Sequence, residues 1–264
     1  PSAPLTPRVL SDLKGEAIKR QSQNALDLMN DPIEFGAQVA GMPSLRLRVQ
    51  DDLARGSDIR IALVGPPGTG KTYSAQAIAS LVGAPLVSFG QILGELLGQA
   101  ENNMRRALSI LRAMAPVVLF IDEADQGPLG ARSSSAQTGN EAHLALRAML
   151  FEFFGDPGAQ TGIHVVLTTN VPNHLDPRVK SRFKFVPCLF ATGAELGHIM
   201  KIQAKRANIE LAEDLSPVMV DYINSGAVLS GRSAQELLEM AFDIALRNSE
   251  RAVTSAHVEA ALAG

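Results

Sequence analysis

The chain has little of several residue types, and each shortage excludes a class of protein. The single cysteine, Cys188, excludes an intramolecular disulfide framework or a cysteine-based zinc cage and is typical of a reducing compartment. No apolar run approaches the ~20 residues that a membrane-spanning helix needs. Aromatic residues make up 5% of the chain and tryptophan is absent, which leaves few platforms for stacking single-stranded nucleic acid.

Positive charge is also not in excess. The 24 Lys and Arg residues stand against 27 Asp and Glu, a net charge of −3, so the chain has no polybasic coat for nucleic acid or a membrane surface. The five histidines show no His-Glu-x-x-His motif and no paired metal spacing. What the 264 residues do have is 46% hydrophobic content, enough to bury a sizeable core.

Short apolar runs alternate with helical patterns as far as about residue 190, which predicts a parallel sheet covered by helices on both faces. Predicted strands cover 59–64, 85–89, 117–121, 163–168 and 183–189, and predicted helices cover 8–29, 43–55, 72–81, 101–114 and 141–154. Beyond this point only helical patterns remain, at 192–207, 215–225, 231–248 and 254–262. We therefore predict an N-terminal leader with helices at 1–57, an α/β domain at 58–190 and a small all-helical domain at 191–264.

A phosphate-binding motif follows the first of these strands. It fits the pattern G-x-x-x-x-G-K-[ST] and is formed by Gly65, Pro66, Pro67, Gly68, Thr69, Gly70, Lys71 and Thr72. Glycines let backbone N–H groups converge on phosphate oxygens, and the following helix directs its positive end at them. Lys71 supplies a positive charge for the β- and γ-phosphates, and Thr72 supplies a hydroxyl ligand for Mg²⁺.

Acidic residues follow the third predicted strand. Asp122 and Glu123 come directly after the apolar run 117–121, and Asp125 lies two positions further. At the end of a buried strand, Asp122 is suited to hold Mg²⁺ through its water shell, and Glu123 to polarise an attacking water. Carboxylates that merely favour a helix N-terminus are the alternative interpretation of this cluster.

Together, GPPGTGKT and FIDEAD resemble the AAA+ ATPases, and the stretch from Pro85 to Asp125 resembles the AAA subfamily of protein unfoldases and disassembly machines. The similarity covers roughly residues 58–262. The resemblance implies a P-loop fold with a three-layer arrangement, a parallel sheet in the order 5-1-4-3-2, and a helical lid domain. It also implies hydrolysis of ATP with Mg²⁺ as cofactor.

The resemblance assigns roles to further residues. Asn170, after the fourth strand, matches the sensor-1 residue that orients water near the γ-phosphate. Arg182 matches the arginine finger, which acts on the nucleotide of an adjacent subunit, and Arg178 is a weaker candidate for a second finger. At the start of a helix of the lid, Gly231 matches a turn that packs over the nucleotide, and Arg232 occupies the position of a sensor-2 arginine.

The resemblance also concerns partners. Leu96, Leu97 and Gly98 match the central-pore loop that grips polypeptide in hexameric unfoldases, with leucine where the family usually has an aromatic residue. We therefore expect a homo-oligomeric ring, a hexamer, that acts in the cytoplasm on an unidentified protein client or adaptor. Two other functions remain open from the sequence: an ATP-dependent loader or switch acting on nucleic acid, and a scaffold that binds ATP without hydrolysing it. The net charge disfavours the first, and Glu123 disfavours the second.

Overall fold

The computed structural model describes residues 7–22, 25–29, 33, 35, 39, 42–89, 99–131, 141–155 and 161–263. The chain divides into two compact units. The first is drawn from residues 1–32, 44–65 and 72–187, and the second from residues 33–43, 66–71 and 188–264. The phosphate-binding motif is thus divided: its ends belong to the first unit and its centre to the second.

The first unit is built on a six-stranded sheet. Its strands are β1 (Leu26–Met29), β2 (Arg60–Val64), β3 (Leu86–Phe89), β4 (Val117–Ile121), β5 (Ile163–Thr169) and β6 (Lys184–Pro187), in the spatial order β1-β3-β4-β5-β2-β6. All pairs are parallel except β1 with β3. When β1 is set aside and β2 to β6 are counted as strands 1 to 5, the spatial order of the parallel strands is 5-1-4-3-2, as predicted. Every residue of β5 is buried, as expected for the centre of a parallel sheet.

Helices alternate with these strands. They are α1 (Pro7–Ser22), α2 (Pro43–Ala54), α3 (Lys71–Val82), α4 (Gln99–Ala113), α5 (Glu141–Gly155) and the one-turn helix α6 (Pro177–Lys180). Side chains of α4 and α5, such as Met104 and Phe154, join strand residues such as Leu119 and Val165 in one buried cluster. Burial of these apolar faces is the main stabilising term of this unit.

The prediction of a single helix over residues 8–29 is wrong at its C-terminal end. Helix α1 ends at Ser22, whose hydroxyl donates to the carbonyls of Lys19 (3.2 Å) and Leu26 (3.3 Å). The chain then turns, with the amide of Ala25 donating to the Ser22 carbonyl. Leu26–Met29 form β1 because the open edge of β3 offers backbone partners that outweigh local helical spacing. The sheet therefore has an antiparallel edge strand.

The second unit is mainly helical: α7 (Gly193–Ala207), α8 (Ser216–Asn224), α9 (Gly231–Arg247) and α10 (Ser255–Ala263). Thr192 and Glu195 form a capping box at the start of α7, and the N-cap Ser230 accepts from the Ser233 amide at the start of α9. The prediction that it is all-helical is wrong in one detail. A two-stranded parallel sheet joins β7 (Glu210–Leu211) to β8 (Ala252–Val253), since two short extended segments satisfy each other's backbone groups.

Candidate active site

The carboxylates of Asp122 and Glu123 lie at the C-terminal end of β4, and both residues are exposed to solvent. One oxygen of Asp122 accepts a hydrogen bond from the hydroxyl of Thr168, near the end of the neighbouring strand β5. Because Thr168 is almost fully buried, it fixes the orientation of the Asp122 carboxylate from the protein side. The carboxylate keeps its remaining lone pairs for a ligand on the solvent side.

The backbone of Glu123 has a conformation that non-glycine residues rarely adopt, with φ at +45°. The surroundings hold it there. The Glu123 amide donates to the hydroxyl of Thr168 (3.0 Å) and to the carboxylate of Asp122 (3.1 Å), and the next amide, of Ala124, donates to the Thr168 carbonyl (2.9 Å). Residues kept in such strained conformations cluster at functional sites. Thr168 thus positions both acidic residues.

Left-handed glycines shape the phosphate-binding motif. Gly68 and Gly70 have φ values of +79° and +81°, which side-chain-bearing residues rarely adopt. The ammonium of Lys71 donates to the carbonyl of Pro66 (2.7 Å), and the hydroxyl of Thr69 donates to the same oxygen (2.9 Å). The positive charge of Lys71 therefore lies against the loop, where phosphate oxygens are expected to bind.

The start of α9 packs against the same loop within the second unit. The amide of Gly231 donates to the carbonyl of Gly68 at 3.0 Å. A Cβ atom at Gly68 would lie 2.7 Å from the Ser230 hydroxyl and 3.3 Å from the Cβ of Arg232, so only glycine fits. Gly231 and the base of Arg232 therefore lie against the phosphate loop, while the side chain of Arg232 is exposed.

Asn170 directly follows the last residue of β5, one strand away from both β2 and β4. The amide of Gly65, where the phosphate loop begins, donates to the carbonyl of Thr169 (3.2 Å). The ends of β2, β4 and β5 therefore meet at one edge of the sheet, the edge at which open α/β sheets bind ligands. This edge carries Gly65, Asp122, Glu123 and Asn170.

Arg182 lies between α6 and β6. Its guanidinium donates to the carbonyl of Arg178 (2.9 Å). Arg178 itself is engaged differently, because its guanidinium donates to the carboxylate of Asp176 (3.1 and 3.3 Å) and lies 3.9 Å over the ring of Phe151. Both guanidinium groups are thus held by residues of their own segment; Arg178 is exposed and Arg182 is half-buried.

Other residues of interest have a defined environment in the structure, apart from the predicted pore loop. His164 is buried, and its Nδ1 accepts from the amide of Ile59 (3.0 Å), so it is a core histidine. Cys188 is buried as a small hydrophobic residue. Asp125 has a buried carboxylate oxygen with no hydrogen-bond partner in the part of the chain that the structure describes. The predicted pore loop, Leu96, Leu97 and Gly98, lies outside the described residues.

Within the first unit, the Thr72 hydroxyl and the exposed Asp122 carboxylate are oxygen ligands of the kind that Mg²⁺ prefers. Within the second unit, Lys71 and the loop amides are donors of the kind that suit phosphate. Sequence reasoning missed Thr168 and the ion pair between Arg147 and Asp176. For the latter, only the sequence Asp176-Pro177, typical of a helix N-cap followed by N1 proline, gave a local signal.

Comparisons with known proteins show which sequences this chain resembles. The sequence model described as "ATPase family associated with various cellular activities (AAA)" matches residues 61–188. Relatives include the ATP-dependent zinc metalloprotease FtsH of Oenococcus oeni, 27% identical over 259 residues, which are 95% of this chain and 33% of that protein. FtsH 3 of Sphaerobacter thermophilus is 28% identical over 249 residues, 92% of this chain and 46% of that protein.

The chain thus spans between a third and a half of the length of these two relatives. The metalloprotease activity in their names belongs to those proteins. In the described part of this chain, no group of three or more His, Cys, Asp or Glu residues is arranged to hold a metal ion. Among the described helices, none combines the length and the apolar character that crossing a membrane requires.

Proposed function

Because this chain belongs to the AAA family of ATPases, whose members hydrolyse ATP with Mg²⁺, we propose that it assembles into a ring and remodels a protein partner. The observation that carries the proposal is the placement of two motifs within the matched segment. The phosphate loop follows β2, the Asp122–Glu123 pair follows β4, and the two strands flank β5.

Residues of the phosphate loop would bind the triphosphate. Amides from Gly68 to Thr72, in a loop opened by the left-handed Gly68 and Gly70, provide donors for the phosphate oxygens. Lys71 neutralises charge on the β- and γ-phosphates. At the start of α9, Gly231 and Arg232 add contacts from the segment that already bonds to the Gly68 carbonyl.

Thr72 and Asp122 would hold Mg²⁺, which supplies further neutralisation of phosphate charge when bound. Glu123 accepts a proton from the water that attacks the γ-phosphate in line, and its exposed carboxylate and fixed backbone suit this role. Asn170, at the same edge of the sheet, orients that water through its side-chain amide.

Arg182 is proposed to act on the nucleotide of the adjacent subunit, where its charge would stabilise the transition state. This role requires a closed ring, and we propose a hexamer. The helical segment 191–264 would serve as the lid, and it would move relative to the α/β domain (58–190) as the nucleotide is bound, hydrolysed and released. Leu96, Leu97 and Gly98 would contact a protein client.

The single cysteine fits a cytoplasmic site of action.

Substitution of the proposed base tests the catalytic assignment. We expect Glu123→Gln to abolish ATP hydrolysis, by about 100-fold or more, while ATP still binds, because an amide accepts no proton from water. Purified protein would be assayed for phosphate release and, with a fluorescent ATP analogue, for binding. Hydrolysis that persists at the wild-type rate would remove Glu123 from the mechanism. ATP hydrolysis that occurs only when DNA is present would instead favour the alternative function, an ATP-dependent loader or switch acting on nucleic acid.

Mixed assemblies test the finger and the ring together. Glu123→Gln subunits keep Arg182 but cannot hydrolyse ATP, whereas Arg182→Ala subunits keep Glu123 but lack the finger. We expect each variant to be inactive alone and the mixture to recover activity, since an Arg182→Ala subunit then receives the finger of a Glu123→Gln neighbour. A mixture without recovery would contradict action in trans. Analytical ultracentrifugation with ATP gives the size of the assembly.

A further inference from the structure

We propose that Arg147 and Asp176 are positioning residues for Arg182, and that they attach the finger segment to the loop that follows Glu123. The inference rests on the proposed role of Arg182 in trans. It concerns how the arginine is held, and it is carried by a continuous set of hydrogen bonds between residues 129–131, 147 and 174–182 in the first unit.

Asp176 is the centre of this network. Its carboxylate caps α6 by accepting from the amide of Arg178 (2.8 Å), and it also accepts from the guanidinium groups of Arg178 (3.1 and 3.3 Å) and Arg147. Burial raises the pKa of Asp176, but the hydrogen bonds from Arg178 and Arg147 outweigh it and lower the pKa to about 2. The carboxylate is therefore charged at every physiological pH.

The finger depends directly on the helix that Asp176 caps. The guanidinium of Arg182 donates to the carbonyl of Arg178, the second residue of α6 (2.9 Å). The amide of Arg182 also donates to the carbonyl of Val179 (3.0 Å). A helix of only four residues has little stability of its own. Loss of its cap and of its ion pairs would therefore release the carbonyl that orients Arg182.

The opposite end of the network reaches the loop after Glu123. The guanidinium of Arg147 donates to the carbonyl of Gly130 (2.9 Å), and the amide of Asp176 donates to the carbonyl of Leu129 (3.0 Å). A further bond joins the amide of Ala131 to the carbonyl of His174. Arg147 thus bridges the two segments with one guanidinium, and its side chain is 15% exposed.

The arrangement has a functional consequence. Glu123 would serve the subunit's own nucleotide and Arg182 the nucleotide of the neighbour, yet both belong to segments fastened to each other through Arg147 and Asp176. A displacement of the finger by about 1 Å is enough to lower a catalytic rate by roughly 100-fold. The network therefore keeps Arg182 at the edge of the subunit in a fixed orientation.

Kinetics of single variants are the first test. We expect Arg147→Gln and Asp176→Asn to lower kcat for ATP hydrolysis by about tenfold or more, with KM changed by less than about twofold, because the finger acts on the transition state. Arg147→Lys keeps the charge opposite Asp176 and should retain more activity than Arg147→Gln. Arg105→Gln, on an exposed face of α4, is the matched control and should resemble the wild type.

Mixing with Glu123→Gln subunits is the decisive test. If Arg147 acts through the finger, an Arg147→Gln subunit still has an intact site of its own, and a Glu123→Gln neighbour supplies a correctly held Arg182. Recovery of activity in the mixture is the expected result, and the same holds for Asp176→Asn. A merely structural defect, or one confined to the subunit's own site, would not recover.

The outcomes separate this inference from the proposed function. Recovery for Arg182→Ala but not for Arg147→Gln or Asp176→Asn would overturn the positioning role and leave the finger in place. Failure of the Arg182→Ala mixture would overturn the finger, and the inference with it. Wild-type kcat in Arg147→Gln would overturn the inference alone. Circular dichroism at the assay temperature shows whether each variant is folded, and Arg147→Lys provides a test should Arg147→Gln not fold.

Discussion

The two left-handed glycines of the phosphate loop allow a matched comparison. Alanine at either position must adopt a φ near +80°, which costs about 1–2 kcal/mol. Gly68→Ala meets a second obstacle, because its Cβ would lie 2.7 Å from the Oγ and 2.9 Å from the Cβ of Ser230. Gly70→Ala meets no atom within 4 Å. Overpacking adds about 1–3 kcal/mol, so we expect Gly68→Ala to lose about 2–5 kcal/mol of unfolding free energy.

A second substitution isolates the steric part. Ser230→Gly removes both close atoms, and glycine at an N-cap lowers stability by only a few tenths of a kcal/mol. In that background the penalty of Gly68→Ala should fall towards that of Gly70→Ala, with only the Cβ of Arg232 still close, at 3.3 Å. The difference between the two backgrounds is the coupling energy of the pair, about 1–3 kcal/mol. Denaturant unfolding of all four proteins of the cycle, followed by circular dichroism, measures it.

Equal losses for Gly68→Ala and Gly70→Ala in the wild-type background would refute the reasoning, because open space and close contact would then have the same effect. A coupling energy near zero would also refute it. ATP affinity gives an independent measurement. Gly68→Ala should weaken binding more than Gly70→Ala, and Ser230→Gly should partly restore it.

Three further predictions follow from buried polar groups of the first unit. Burial lowers the pKa of His164 in the folded chain, so the unfolded chain binds a proton more readily than the folded one. The free energy of unfolding should therefore fall as the pH drops through about 6.5, the ordinary pKa of histidine. His164→Asn, which keeps an acceptor for the Ile59 amide, should remove that slope in pH-dependent unfolding. The Asp52 side chain is 4% exposed, and its carboxylate pairs with the Lys184 ammonium at 2.6 Å. Lys184→Met removes this partner and should lower the free energy of unfolding by about 3 kcal/mol, whereas Lys184→Arg keeps a charged partner and should not. Asp176→Asn should cost about 2 kcal/mol at neutral pH, from a pKa lowered from 3.8 to about 2, and the difference from the wild type should vanish as the pH falls to about 2.

Each of these has an outcome that would contradict it. An unchanged pH slope in His164→Asn would assign that slope to another group. Equal stability of Lys184→Met and Lys184→Arg would mean that solvent, rather than the lysine charge, compensates Asp52. A wild-type advantage over Asp176→Asn that persists at pH 2 would mean that the carboxylate contributes through its shape and not through its charge.

The parts of the fold that the sequence predicted are those with a strong local signal. The five parallel strands are short apolar runs, and the phosphate loop and Asp122–Glu123 are contiguous motifs whose chemistry can be inferred from residue type. Because parallel strands present their C-terminal ends at one edge, the relation among Gly65, Glu123 and Asn170 follows from topology alone.

The parts that it did not predict depend on contacts between distant residues. Leu26–Met29 continue the apolar spacing of α1, and only the edge of β3 makes them a strand. Arg147 and Asp176 are 29 residues apart, and an arginine within a helical pattern carries no local sign of a buried partner. The left-handed φ of Glu123 depends on Thr168, 45 positions away. Such tertiary effects override local propensity.

Strand β1 also determines how shortened versions of this protein would behave. It covers the outer edge of β3, while the opposite edge strand, β6, carries Lys184 and Pro187, which discourage pairing with another chain. A fragment that begins at β2 would expose the edge of β3 together with apolar surface otherwise covered by Leu26 and Ile18. Such a fragment would retain every nucleotide-binding motif and yet self-associate through its bare strand, so its colloidal stability would depend on residues far from the chemistry.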